Sequence, residues 1–152
     1  FFQLPRIPEK ILGAKNAKLV GQMIKRSSSS PSMFPSEVID KFTESASKPG
    51  SLEAMINYYR GLIRGGGMRR QAQLGFPRID IPTLMIWGEE DVALSKKTTL
   101  GTEEFVTDLT LRYLPRVSHW CQQEQPDIVN LMISNFIDNE RVPELSWEPR
   151  FD

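Results

Sequence analysis

Apolar positions along residues 1–75 fall at helical spacing in blocks broken by Pro, Gly and Ser, whereas residues 76–140 alternate strand-like and helix-like stretches. In the first region, residues 15–24 predict a helix with Leu19, Val20 and Met23 on one stripe. A second helix is expected from Ser36, which can cap it, with Val38, Ile39, Phe42 and Ala46 recurring toward one face. Lys48-Pro49-Gly50 ends it. Ser51 is placed to cap a third helix whose apolar residues Leu52, Met55, Ile56, Tyr59 and Ile63 make a defined amphipathic stripe. Gly65, Gly66 and Gly67 stop that helix. They make no phosphate loop, because neither a preceding strand nor a Gly-Lys-Ser/Thr ending accompanies them. The run from Ser27 to Ser30 before Pro31 reads as a flexible linker, since serines compete for backbone hydrogen bonds and proline cannot continue a helix.

Beyond Phe76-Pro77 the period changes. Residues 79–87 predict a strand, with Leu84, Met85, Ile86 and Trp87 continuously apolar, as in a parallel-sheet strand buried on both faces. A weak helix over residues 95–106, interrupted by Gly101, leads to a second strand over residues 109–114. Pro126 then opens a helix carrying Ile128, Leu131, Met132 and Phe136. Strand, helix, strand, helix is the order of a parallel α/β sheet. The expected organisation is therefore a helical region over residues 1–75, an α/β core over residues 76–140, and a surface tail over residues 141–152 that carries Pro143, Trp147 and Pro149.

Composition narrows the partners. The 152 residues hold 19 basic and 19 acidic side chains, so no electrostatic reason exists to expect nucleic acid or an anionic membrane. The longest apolar runs are far shorter than the ~20 residues a membrane-spanning helix needs. No signal-peptide pattern is present. Cys121 is the one cysteine, which excludes an internal disulfide and suits a reducing compartment; a cytoplasmic location is the expectation. The first residue is Phe, and the chain opens inside an apolar phrase. A fragment, or a gene model without its start, is expected rather than a complete protein.

Two residues stand out as candidate chemistry. Asp91 follows the first strand after the turn Gly88-Glu89-Glu90, and His119, the sole histidine, follows the second strand 28 residues later. Consecutive parallel strands put both loops on one edge, where ligands gather. A carboxylate that orients an imidazole makes a general base. Each residue also has a plain structural reading, Asp91 as a turn or cap residue and His119 as a satisfied loop residue. Glu89 and Glu90 read as solvated turn residues, and Ser118 and Cys121 as packing. One His and one nearby Cys supply no metal ligand set, so no metal and no cofactor are expected. Tyr59 falls on an apolar stripe, which suits a core aromatic, while its phenol could equally donate a proton to an oxygen gaining charge. Periodicity leaves both open.

Four phrases in order resemble an α/β-hydrolase-fold epoxide hydrolase: Phe1-Phe2-Gln3-Leu4-Pro5, Asn57-Tyr58-Tyr59-Arg60, the stretch from Pro82 to Asp91, and Ser118-His119-Trp120 with the run to Pro126. The Asp and His phrases are shared more widely, haloalkane and haloacetate dehalogenases included; the first two point to epoxide hydrolases. The resemblance implies the C-terminal portion of an α/β-hydrolase fold preceded by a helical cap. It implies His119 as the water-activating base, Asp91 as its orienting acid, Tyr59 as one of two cap tyrosines on the epoxide oxygen, and Trp120 beside the substrate. In that family an Asp at a nucleophile elbow opens the epoxide to an alkyl-enzyme ester, which activated water hydrolyses to a diol. The expected partners are a small-molecule epoxide and the missing N-terminal half of the same fold, with its nucleophile, oxyanion loop and other cap tyrosine. Ser118 departs from the Gly that many α/β-hydrolases place before the histidine; its small side chain makes the change tolerable.

Overall fold

The computed structural model describes residues 1–146; Trp147 and Pro149 of the expected tail lie outside them. The chain divides into two compact units, one formed by Phe1–Arg26 with Phe34–Pro77, the other by Ser27–Met33 with the chain from Arg78 onward.

The first unit is helical, with α1 at Ile7–Leu12, α2 at Ala14–Arg26, α3 at Ser36–Ser47, α4 at Ser51–Ile63 and α5 at Gly67–Gln73. Lys15, Asn16 and Ala17 hold left-handed backbone angles, so the regular part of α2 begins only after them. The serine caps expected for α3 and α4 do not form. Ser36 and Ser51 are the first residues inside their helices, and the preceding Pro35 and Gly50 make no side-chain cap bond. Helix α5 was not foreshadowed by periodicity; it restarts at Gly67 after Gly66 takes the left-handed conformation. α2 packs closely on α3 because Gly21 lets Thr43 and Ile39 approach; a β-carbon there would overlap both. Leu12, Ala17, Phe34, Ala46 and Ile56 form the buried apolar set of this unit. The α4 stripe is mostly open: Ile56 is buried, while Met55, Tyr59 and Ile63 are exposed. The reading of Tyr59 as a core aromatic is therefore corrected.

The second unit contains two parallel strands, β1 at Thr83–Gly88 and β2 at Leu109–Leu114, paired from Thr83 opposite Leu109 to Gly88 opposite Leu114. An isolated bridge between Ile79 and Val106 prolongs the pairing backward, which accounts for the strand signal starting at residue 79. The weak helix expected between the strands is instead two 3₁₀ turns, Lys96–Thr99 and Thr102–Glu104, because Gly101 sits between them at a left-handed φ of 84°. Burial on both strand faces is also corrected. Each strand is half-buried until its final residue, Gly88 or Leu114. Each has one strand neighbour among the described residues, so the other long edge of each strand is left unpaired.

Short helix α6 at Cys121–Glu124 and helix α7 at Pro126–Ile137 complete the unit. Leu114, Val117, Val129, Met132 and Val142 make its core, with Leu84, Ile86 and Phe136 packed against them. No helix among the described residues is long and apolar enough to cross a membrane.

Candidate active site

The carboxyl ends of β1 and β2 are held together by the backbone beyond them. Glu89 N–H donates to Leu114 O at 3.1 Å, and Glu90 N–H donates to Val117 O at 2.9 Å. Gly88 makes this approach possible, since a β-carbon would overlap the carbonyl oxygens of Val117 and Ser118. Two turns that follow different strands are thereby pressed into one rim.

On that rim His119 Nδ1 lies 2.8 Å from Asp91 Oδ2. The other oxygen, Oδ1, accepts from the backbone N–H of Ala93 at 2.8 Å and of Leu94 at 2.9 Å. The carboxylate is thus itself clamped before it meets the ring. Burial pushes its pKa up, but the bonds from His119, Leu94 and Ala93 outweigh that and hold the carboxyl below its ordinary value. An ionised carboxylate can only accept, so Nδ1 carries the hydrogen and the lone pair of the neutral ring falls on Nε2. The Asp91 side chain is 6% exposed and that of His119 36%. Water reaches the imidazole and hardly touches its partner, the arrangement a positioned general base requires.

Around the pair, Ser118 is buried and Cys121 half-buried, as packing residues should be. The Cys121 thiol donates to Ser118 O at 3.5 Å, and burial pushes its pKa up, which keeps it protonated. Glu89 pairs with Lys96 at the edge of the turn. Among the described residues no group of three or more His, Cys, Asp or Glu side chains could hold a metal ion.

Trp120 meets His119 edge-on, with centroids 5.1 Å apart at 86°. Its indole N–H donates to Ser27 Oγ at 2.9 Å, so the polar end of this residue, expected at the substrate, is engaged by the serine run. That run is no flexible linker. Ser28 is buried, and Ser28 and Ser29 both donate to the carboxylate of Glu124. Sequence reasoning gave Glu124 no role and the serines only that of a linker. The available signal was weak: an acidic residue in the polar run after His119, and a string of hydroxyl donors far upstream with no stated acceptor.

Tyr59 belongs to the helical unit. It stacks on Phe2 at 4.7 Å and 18°, meets Tyr58 edge-on, and is 48% exposed. Its neighbour Arg60 pairs with Glu9 and donates to Phe2 O and Leu4 O, while Gln3 donates to Tyr59 O. The opening phrase and the Tyr58-Tyr59-Arg60 phrase are thus tied to each other within one unit.

No protein-family model matches the chain. Among curated proteins it is 34% identical over 140 residues to AB hydrolase superfamily protein YfhM of Bacillus subtilis, covering 92% of this chain and 47% of that protein. It is 29% identical over 142 residues to epoxide hydrolase 2 of Caenorhabditis elegans, covering 91% and 39% respectively. Among solved structures, the Bacillus megaterium epoxide hydrolase in complex with an inhibitor matches at a TM-score of 0.69 and 23% identity, over 90% of this chain and 49% of that one. The relatives are AB hydrolase superfamily proteins and epoxide hydrolases, and the fold is a partial α/β-hydrolase fold. The chain spans less than half the length of each of these three proteins.

Proposed function

We propose that this chain carries the water-activating part of an epoxide hydrolase. The carrying observation is the 2.8 Å contact between His119 Nδ1 and Asp91 Oδ2, with Asp91 clamped and the imidazole open to water. Asp91 fixes the tautomer, and His119 Nε2 takes a proton from water as that water attacks an ester carbon. The ester would be the alkyl-enzyme adduct formed when a carboxylate nucleophile opens the epoxide ring. The nucleophile is proposed to come from a part of an α/β-hydrolase fold outside these 152 residues.

Tyr59 is the proposed acid on the epoxide oxygen, which gains negative charge as the ring opens and needs a donor more acidic than water. Trp120 is proposed to offer its ring face to the substrate. The Tyr58-Tyr59-Arg60 phrase, shared with the epoxide hydrolase pattern, supports this substrate over a halide. By itself the chain is proposed to be inactive, since a base and its orienter form no covalent intermediate.

The test supplies the preceding half of an α/β-hydrolase fold, with its nucleophile, and follows diol formation from a styrene or aliphatic epoxide. Turnover that depends on His119 is expected. Undiminished diol formation by His119→Ala would refute the assignment.

A further inference from the structure

The residue that the mechanism leaves unused is Glu124. It is 2% exposed and sits six residues after Ser118 at the end of α6. Both carboxylate oxygens are filled. Oε1 accepts from Ser28 Oγ at 2.9 Å and from Ser118 Oγ; Oε2 accepts from Ser29 Oγ at 2.8 Å and from the Ser118 backbone N–H at 3.1 Å. Four neutral donors therefore occupy the four lone-pair sites of one buried carboxylate. Desolvation works against the charge, but the Ser118, Ser29 and Ser28 bonds prevail and lower the pKa, so the group stays ionised. An ionised carboxylate this deep persists only where its acceptor capacity is satisfied.

What those donors belong to gives the arrangement its meaning. Two come from Ser118, the residue immediately before the imidazole. Two come from the serine run, which touches the histidine loop again: Ser29 Oγ, its one hydrogen given to Glu124, lies 3.2 Å from Arg116 O, and Trp120 Nε1 donates to Ser27 Oγ. Gln123 adds a bond to Met33 O at 3.2 Å. Arg116, at the start of this loop, holds a left-handed φ of 59°, a conformation that costs energy for a side chain with a β-carbon. A loop with such a bend needs surrounding bonds to keep one shape.

We propose that Glu124 is a positioning residue: its carboxylate locks Ser118 and the serine run together, and so fixes the backbone that aims His119 at Asp91. It touches no substrate and acts through Ser118. This rests on the reading of His119 and Asp91 as a working pair, and adds that the pair is set by a buried clasp rather than by the two strands alone.

Because His119 is the sole histidine, ring labelling with ¹⁵N reports on it without assignment. The 152-residue chain should show an Nδ1–H tautomer with a downfield hydrogen-bonded proton, and Asp91→Asn should abolish that signal. Glu124→Ala is expected to lose the downfield proton and mix the tautomers, whereas Glu124→Gln, which keeps the shape and one accepting oxygen, should restore them in part. The Ser28→Ala and Ser29→Ala double variant removes two donors without touching the carboxylate; it should shift the same signals if Glu124→Ala does not fold. Wild-type ring signals in folded Glu124→Ala, or in the serine double variant, would overturn the positioning role while leaving the catalytic pair standing. A wild-type chain without the Nδ1–H signature would remove the pair itself.

Discussion

Gly88 lies against the carbonyl of Ser118 so closely that any β-carbon at residue 88 would occupy the oxygen's space. That contact joins the end of β1 to the loop carrying His119, and with it the turn carrying Asp91. Gly88→Ala should therefore push the two loops apart. Overpacking of this kind costs roughly 1–3 kcal/mol. A lowered denaturation midpoint with loss of the His119 Nδ1–H signal is expected; an alanine variant with unchanged midpoint and ring signals would show that the rim tolerates a wider gap.

Asp91→Asn should leave the turn in place, since an amide oxygen can still accept from Ala93 and Leu94. Its NH₂ would then face His119 Nδ1, which favours the opposite tautomer and turns the lone pair toward residue 91. In the enzyme completed with its nucleophile, diol formation should fall by up to about 10⁴-fold, the scale seen for the same change in serine triads. Accumulation of an ester intermediate, detected by mass after rapid quenching, would place the defect in the hydrolytic step. A rate within a few-fold of wild type would mean that Asp91 is only a turn residue.

Acid should dismantle the site through its carboxylates. Asp91 and Glu124 both have pKa values lowered in the folded chain, so the folded state binds fewer protons than the unfolded one as pH falls. Their stabilisation is complete above the unfolded values near pH 4 and is lost as pH drops through the lower folded values. Melting temperature should be flat from pH 7 to about 5 and decline below it. Glu124→Gln should melt lower at pH 7 and show a shallower acid decline, because it has no proton to gain. An equal slope in wild type and variant would assign acid sensitivity to other groups.

Much of the rim was legible because it depends on local order in the sequence. Two apolar strands, each ending in a short turn, fix which edge Asp91 and His119 share, and parallel pairing does the rest. Pro126 likewise marked the start of α7 through its own fixed φ. The clasp was not legible, because Ser28 and Glu124 are 96 residues apart and each looks like an ordinary solvated residue. A serine run is a linker when its hydroxyls face water and a docking strip when a buried carboxylate collects them. Only the fold decides which. The helix starts failed for a related reason: Ser36 and Ser51 have the right chemistry for caps, but the chain turns into α3 and α4 one residue earlier.

Tyr59 is the residue on which the proposed choice of substrate rests. Its ring is stacked on Phe2 and remains 48% exposed, so Tyr59→Phe removes one hydroxyl while keeping the stack and the fold. Opening an epoxide leaves an alkoxide-like oxygen that must be stabilised as it forms, and losing one such donor costs about 10²–10³-fold in kcat where it has been measured. Displacing a halide needs no proton, so the same change should leave dehalogenation nearly untouched. In the enzyme completed with its nucleophile, diol release from an epoxide and halide release from a haloalkane should be followed side by side for wild type and Tyr59→Phe. Loss of the first activity is expected, with an unchanged melting temperature. Robust halide release by both proteins, with no diol from either, would move the assignment to a dehalogenase of the same fold.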